Sequence, residues 1–136
     1  MTEEIRALAA QGLVQGLELK RPRRWWASAD SRALRSLAEH MRELQAHLSA
    51  ITCIDQGEVF ELLYHFDLGG ELLTVSVRVL RALPSLPSIA DIYPAADFYE
   101  REIAEMFGVR FEGAPRTGHL LLPDDWPEHE YPLRRW

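Results

Sequence analysis

Two carboxylates two positions apart, Glu100 and Glu102, are the first side chains in this 136-residue sequence whose type and spacing suggest chemistry, because paired carboxyl groups can serve as general acid and base. On a helix, however, positions i and i+2 diverge, so the two would not share one substrate. Carboxylates that border an apolar stripe are better placed to accept hydrogen bonds from backbone amides or from a neighbour's arginine. Cys53 is the single cysteine and sits between Ile51 and Ile54, so it reads as a buried inert thiol rather than a nucleophile. One thiol excludes an internal disulfide, and also an Fe–S cluster or structural zinc site held by this chain alone. His40 and His47 lie two helical turns apart, too far for one ion. His119 and His129 bracket Asp124, Asp125 and Glu128, which are metal-binding types in a spacing that matches no ligand motif. Neither glycine-rich phosphate loop, GxGxxG or GxxxxGK[ST], is present, and Gly69-Gly70 is followed by no helix that could hold a phosphate. These residues describe a binding module with no catalytic residue, metal or cofactor of its own. A small standalone enzyme is the contrasting reading.

The elements that carry these residues follow from periodicity. Residues 3–12 predict a short helix, and 13–20 alternate weakly as a strand before Pro22 interrupts. Asp30 suits a helix N-cap, and Leu34, Leu37, Met41, Leu44 and Leu48 recur at spacings of three and four, which predicts an amphipathic helix over about 31–48. The period then becomes two. A short strand over 51–55, then Phe60 to Phe66 and Leu73 to Val79, with turns at 55–58 and 68–70, predicts a three-stranded antiparallel meander. Residues 82–92 read as a connector. A helix over about 95–107 ends at Gly108, with Tyr99, Ile103, Met106 and Phe107 as its apolar face and Asp97, Arg101 and Glu105 as a ladder on the opposite side. Glu100 and Glu102 fall on the flanks of the stripe. The fold class is therefore α+β: an antiparallel β meander packed against amphipathic helices in one domain, with a compact core over about 1–111. Residues 112–136 form an extended tail with four prolines, three consecutive leucines and two tryptophans, apolar enough that it must wrap its own domain or lie on another protein.

Composition sets the class around these elements. With 47% hydrophobic and 26% charged residues and a net charge of −6, the chain is a globular domain rather than a disordered one. It has no apolar run long enough to span a bilayer and no apolar signal core after its acidic N-terminus, so the expected location is cytoplasmic. The charge is asymmetric: residues 1–50 are slightly basic and 51–136 strongly acidic. The basic cluster Lys20-Arg21-Pro22-Arg23-Arg24 precedes Trp25-Trp26. In so acidic a chain it makes a poor nucleic-acid site, and it reads as a basic connector whose tryptophans enter the core or meet a partner.

The stretch from Tyr93 to Gly113 resembles the C-subunit family of proton-pumping NADH:quinone oxidoreductase (complex I). Glu100, Arg101, Glu102, Glu105, Met106 and Phe107 match that family's Glu-Arg-Glu signature and the apolar pair after it. Leu120-Leu121, then Leu122-Pro123-Asp124-Asp125-Trp126, and finally Tyr131-Pro132-Leu133-Arg134-Arg135 resemble its continuation and end. Ala114 and Gly118 stand where the family usually has His and a basic residue, and His119 also occupies a usually basic place. Related short subunits occur in energy-converting membrane-bound nickel–iron hydrogenases. In either assembly the resemblance implies a cofactor-free peripheral-arm subunit that packs against the large, hydrogenase-like subunit near the Fe–S chain and the quinone or hydrogen site. It would touch the inner face of the membrane only through the complex. It also implies a partner surface that includes Glu100, Arg101, Glu102, Leu120, Leu121, Trp126, Pro132 and Arg134.

Overall fold

A computed structural model describes residues 2–115 and 120–135. Helix α1 (Thr2–Ala10) leads into a hairpin of β1 (Gln15–Arg21) and β2 (Arg24–Ser28). A 3₁₀ turn over Ser31–Ala33 opens α2 (Leu34–Glu43), and strands β3 (His47–Asp55), β4 (Val59–Leu68) and β5 (Glu71–Leu80) follow. The short strand β6 (Ser85–Pro87), helix α3 (Ala96–Phe107) and the short strand β7 (Arg110–Glu112) complete the regular structure.

The expected meander is present as β3–β4–β5, but it is part of a larger mixed sheet. Five strands run in the order β1-β2-β5-β4-β3, and β2 joins β5 in parallel, with Trp25 opposite Leu73 and Ala27 opposite Val75. The segment read as a basic connector is therefore the tip of a hairpin, and Pro22 lies in its turn rather than between elements. The connector over 82–92 likewise contains β6, which pairs with β7 in a separate two-stranded parallel sheet.

Alternation along the strands places the core. Phe60, Leu62, Tyr64 and Phe66 on β4, Leu73, Val75, Val77 and Val79 on β5, and Trp25 and Ala27 on β2 are buried in one cluster. Ile5 and Leu8 of α1, Leu34, Leu37 and Met41 of α2, and Ile103 and Phe107 of α3 complete that cluster. Asp30 caps the 3₁₀ turn, its carboxylate accepting the Arg32 N–H at 2.8 Å. Helix α2 is shorter than its leucine spacing suggested. It ends at Glu43 with Leu44 as its C-cap, and Gln45 turns the chain with φ 63°, so Leu48 is buried from β3 and His47 stands on a strand.

Candidate functional site

Helix α3 presents its stripe as Ala96, Glu100, Ile103 and Phe107, all buried, with Glu105 buried beside them. Glu100 thus lies inside the apolar stripe rather than on its flank, at 2% exposure. One carboxylate oxygen accepts the Ser88 hydroxyl at 2.5 Å and the other accepts the Ile89 N–H at 2.8 Å. Burial drives its pKa up to about 7 against the pull of those two bonds, with Asp97 and Asp91 adding to the rise. The same short loop is held from its other side. Arg35 of α2 donates to the Ser88 carbonyl and makes a two-pronged pair with the Asp91 carboxylate, each bond at 2.8 Å. Residues 88–91 are therefore gripped by α2 and α3 together.

The described part of the tail folds back on its own domain. Glu105, placed by the helical wheel opposite the apolar face, accepts the backbone N–H groups of Leu120, Leu121 and Leu122, the second at 2.7 Å. Leu133 N–H donates to the Met106 carbonyl at 3.0 Å, and Arg134 Nε donates to the Phe107 carbonyl at 2.6 Å. The Arg134 guanidinium lies 4.4 Å from the Tyr131 ring centroid and 5.3 Å from that of Phe60. These contacts cover the C-terminal end of α3, where Gly108 has φ 79°. A Cβ there would meet the Tyr131 ring at 2.6 Å, so both the backbone angle and the close approach require glycine.

Asp55 anchors the last described residue. Its carboxylate accepts the N–H of Gly57 at 3.0 Å, Arg81 Nη1 at 2.7 Å and the N–H of Arg135 at 2.8 Å. Burial pushes this carboxyl up, but the two amides and the guanidinium together hold it below its usual range. Nothing in the strand pattern marked Asp55 as a tail anchor. Its place before Gln56-Gly57 signalled only the turn.

Of the residues expected at a partner surface, Glu100 and Arg134 are engaged inside the chain: Glu100 holds a loop and Arg134 locks the tail. Leu121 is 51% exposed, Pro132 is exposed, and Leu120, Trp126, Arg101 and Glu102 are half-buried. A cleft of about 610 Å³ separates α3 from the tail, lined by Glu100, Ala104, Phe111, Leu122, Trp126 and Tyr131 among others. Gly118 and His119 lie outside the described residues. His129 is exposed, and the described residues contain no group of three or more His, Cys, Asp or Glu placed to hold a metal ion. Cys53 is half-buried, and burial raises its thiol pKa to about 12, which suits an inert side chain. No helix among the described residues is long and apolar enough to cross a membrane.

Comparison with known proteins matches this arrangement. Over 117 residues the chain is 37% identical to the C subunit of NADH-quinone oxidoreductase from Acidothermus cellulolyticus, covering 68% of this chain and 61% of that protein. The match thus spans less than two-thirds of that relative's length. The chain is 38% identical over 118 residues to the membrane-bound hydrogenase subunit beta of Pyrococcus furiosus, covering 82% of this chain and 68% of that protein. Its fold superposes on a chain of an archaeal respiratory membrane complex, the membrane-bound sulfane sulfur reductase. The TM-score is 0.85 at 29% identity, over 98% of this chain and 83% of that one. It also shares the fold of a trypsin-resistant fragment of Nqo5, with a TM-score of 0.72 at 24% identity, over 85% of this chain and 98% of that one. Residues 27–136 match the family described as the 30 Kd subunit of respiratory-chain NADH dehydrogenase, and the chain belongs to that family.

Proposed function

We infer that this chain is a cofactor-free peripheral subunit of a complex I-like membrane-associated oxidoreductase, and that it packs against the large hydrogenase-like subunit near the Fe–S and quinone region. The observation that carries this reading is the family match over residues 27–136, which takes in α3, the loop it holds and the whole tail. The geometry supports a binding role. Buried carboxylates on α3, Glu100 and Glu105, serve backbone amides, and the described part of the tail is held in place while Leu121 and Leu133 stay 51% and 53% exposed. A rigid segment presenting apolar side chains loses little freedom when a partner covers it. In this reading Leu120, Leu121, Trp126, Pro132, Arg101 and Glu102 face the partner, while Glu100 and Arg134 fix the surface from within.

A second assembly has its own support. The identity to a hydrogenase subunit beta is 38% against 37% for the quinone-reductase relative, and the match covers more of this chain. An accessory role in an energy-converting membrane-bound hydrogenase is therefore the alternative. The reading frames beside this one distinguish the two, since quinone-reductase and nickel–iron hydrogenase genes differ in kind. The direct test is co-expression with the large subunit encoded nearby. A stoichiometric complex is expected, and replacing Leu121 and Leu133 together with Asp should reduce co-purification while the chain stays folded. Wild-type yield from that double variant would move the interface elsewhere.

A further inference from the structure

The β1–β2 hairpin ends in four cations, Lys20, Arg21, Arg23 and Arg24, all exposed. The segment matched to the family begins at residue 27, so this tip precedes it. Two features make the tip unfavourable as it stands. Arg21 and Arg24 are directly opposite each other in the ladder, and like charges so placed repel. Arg23 has φ 62°, a left-handed conformation that a side chain with a Cβ adopts at a steric cost and that glycine would adopt freely. Lys20 pairs with Glu18, but no acidic side chain pairs with the three arginines among the described residues.

We propose that this hairpin tip is a docking site for an acidic segment of a neighbouring protein, whose carboxylates are held by the Arg21 and Arg24 guanidinium groups with Arg23 beside them. Strand pairing sets Arg21 and Arg24 side by side, so they present two forks, each able to grip a carboxylate through two parallel hydrogen bonds. Leu19, 52% exposed on the same hairpin, adds an apolar contact. Charge distribution decides the occupant. The rest of the chain is more acidic than the net −6 of the whole. A uniformly anionic bilayer or nucleic acid would repel that body, whereas a local cluster of carboxylates on a protein meets only the tip. Addition of a strand along β1 is a poorer use of the same hairpin, because its register shifts between Gln15 and Glu18 and again between Leu19 and Arg21.

The test uses the full chain and a fluorescein-labelled oligoglutamate peptide, followed by anisotropy in low-salt buffer, with phosphatidylglycerol vesicles and a short DNA duplex assayed in parallel. Wild type should bind the peptide, added salt should weaken it, and Arg21→Gln with Arg24→Gln should weaken it about tenfold. Arg110→Gln, an exposed arginine outside the hairpin, should leave it unchanged. The double Gln variant should also unfold at a slightly higher denaturant concentration than wild type, because the repulsion is gone. A role confined to the fold would not combine lost binding with gained stability. Equal binding by all variants, or no binding of the peptide, overturns the proposal. Binding to vesicles or DNA in preference to the peptide, through the same arginines, also overturns it in favour of that partner.

Discussion

The Asp55 carboxylate and the Arg135 N–H are 2.8 Å apart across 80 positions of sequence, and this bond ties the last described residue to the end of β3. The same carboxylate also accepts Arg81 and Gly57, so it is a three-way junction between strand, turn and tail.

Replacing Asp55 with Ala should take the acceptor from the Gly57 and Arg135 amides and remove the ion pair that Arg81 makes with a buried carboxylate. A loss of about 3 kcal/mol is expected from denaturant unfolding. Limited proteolysis should cut the tail of the variant well before the core. Because the carboxyl titrates below its unfolded value, its contribution is present above the usual aspartate range and is lost as pH falls through the folded pKa. The variant's stability should therefore fall less steeply in acid than that of wild type.

Glu100 titrates in the opposite sense. Its folded pKa of about 7 lies above the value of about 4.3 for an unfolded glutamate, so folding holds a proton between those values. Stability from this group is complete below the unfolded pKa and is lost as pH rises through about 7. The full loss is on the order of 3 kcal/mol. Denaturant midpoints measured from pH 5 to 8 should decline in wild type and stay flatter in Glu100→Gln. Parallel declines would mean that the proton sits elsewhere.

Gly108→Ala forces a Cβ into the Tyr131 ring and a side chain into the left-handed region. A cost of about 2 kcal/mol is expected. Tyr131→Ala should remove the ring contacts and leave only the flexible end of Arg134 against the new Cβ, so the double variant should lose less than the two single losses added together, a coupling that a double-mutant cycle reads directly.

Leu37 is fully buried under the sheet, and Leu37→Ala should lower unfolding free energy by about 3 kcal/mol through lost burial and a cavity. An unchanged midpoint would contradict the packing of α2 on the strands.

How far the sequence foretold this architecture depends on the range over which each signal acts. Alternation over Phe60–Phe66 and Leu73–Val79 is local, and β4 and β5 appear where it put them. The leucine spacing that gave α2 overshot because Leu48 continues the helical interval by coincidence, while the turn at Gln45 needs a positive φ that its neighbours do not advertise. The β1–β2 hairpin was hidden because its turn is Pro22-Arg23 rather than a glycine pair, and its docking partner β5 lies far along the chain. A helical wheel set Glu100 on the flank of the apolar stripe of α3 and Glu105 on the opposite side. Their burial comes from the 88–91 loop and from the tail, partners that no local pattern contains. The family signature did single out both glutamates, although it said nothing of the amides they serve.

The parallel pairing of β2 with β5 has a consequence for the order of assembly. A strand made early must wait for a partner about 50 positions later. At ordinary synthesis rates of about 5–20 residues per second, that wait is on the order of 3–10 s. During it the hairpin has only itself and α1, and β5 emerges with one bare edge until β2 docks. The N-terminal hairpin is thus a late-seated cover for the β5 edge of the meander, and removing it should show first as aggregation during expression rather than as altered chemistry.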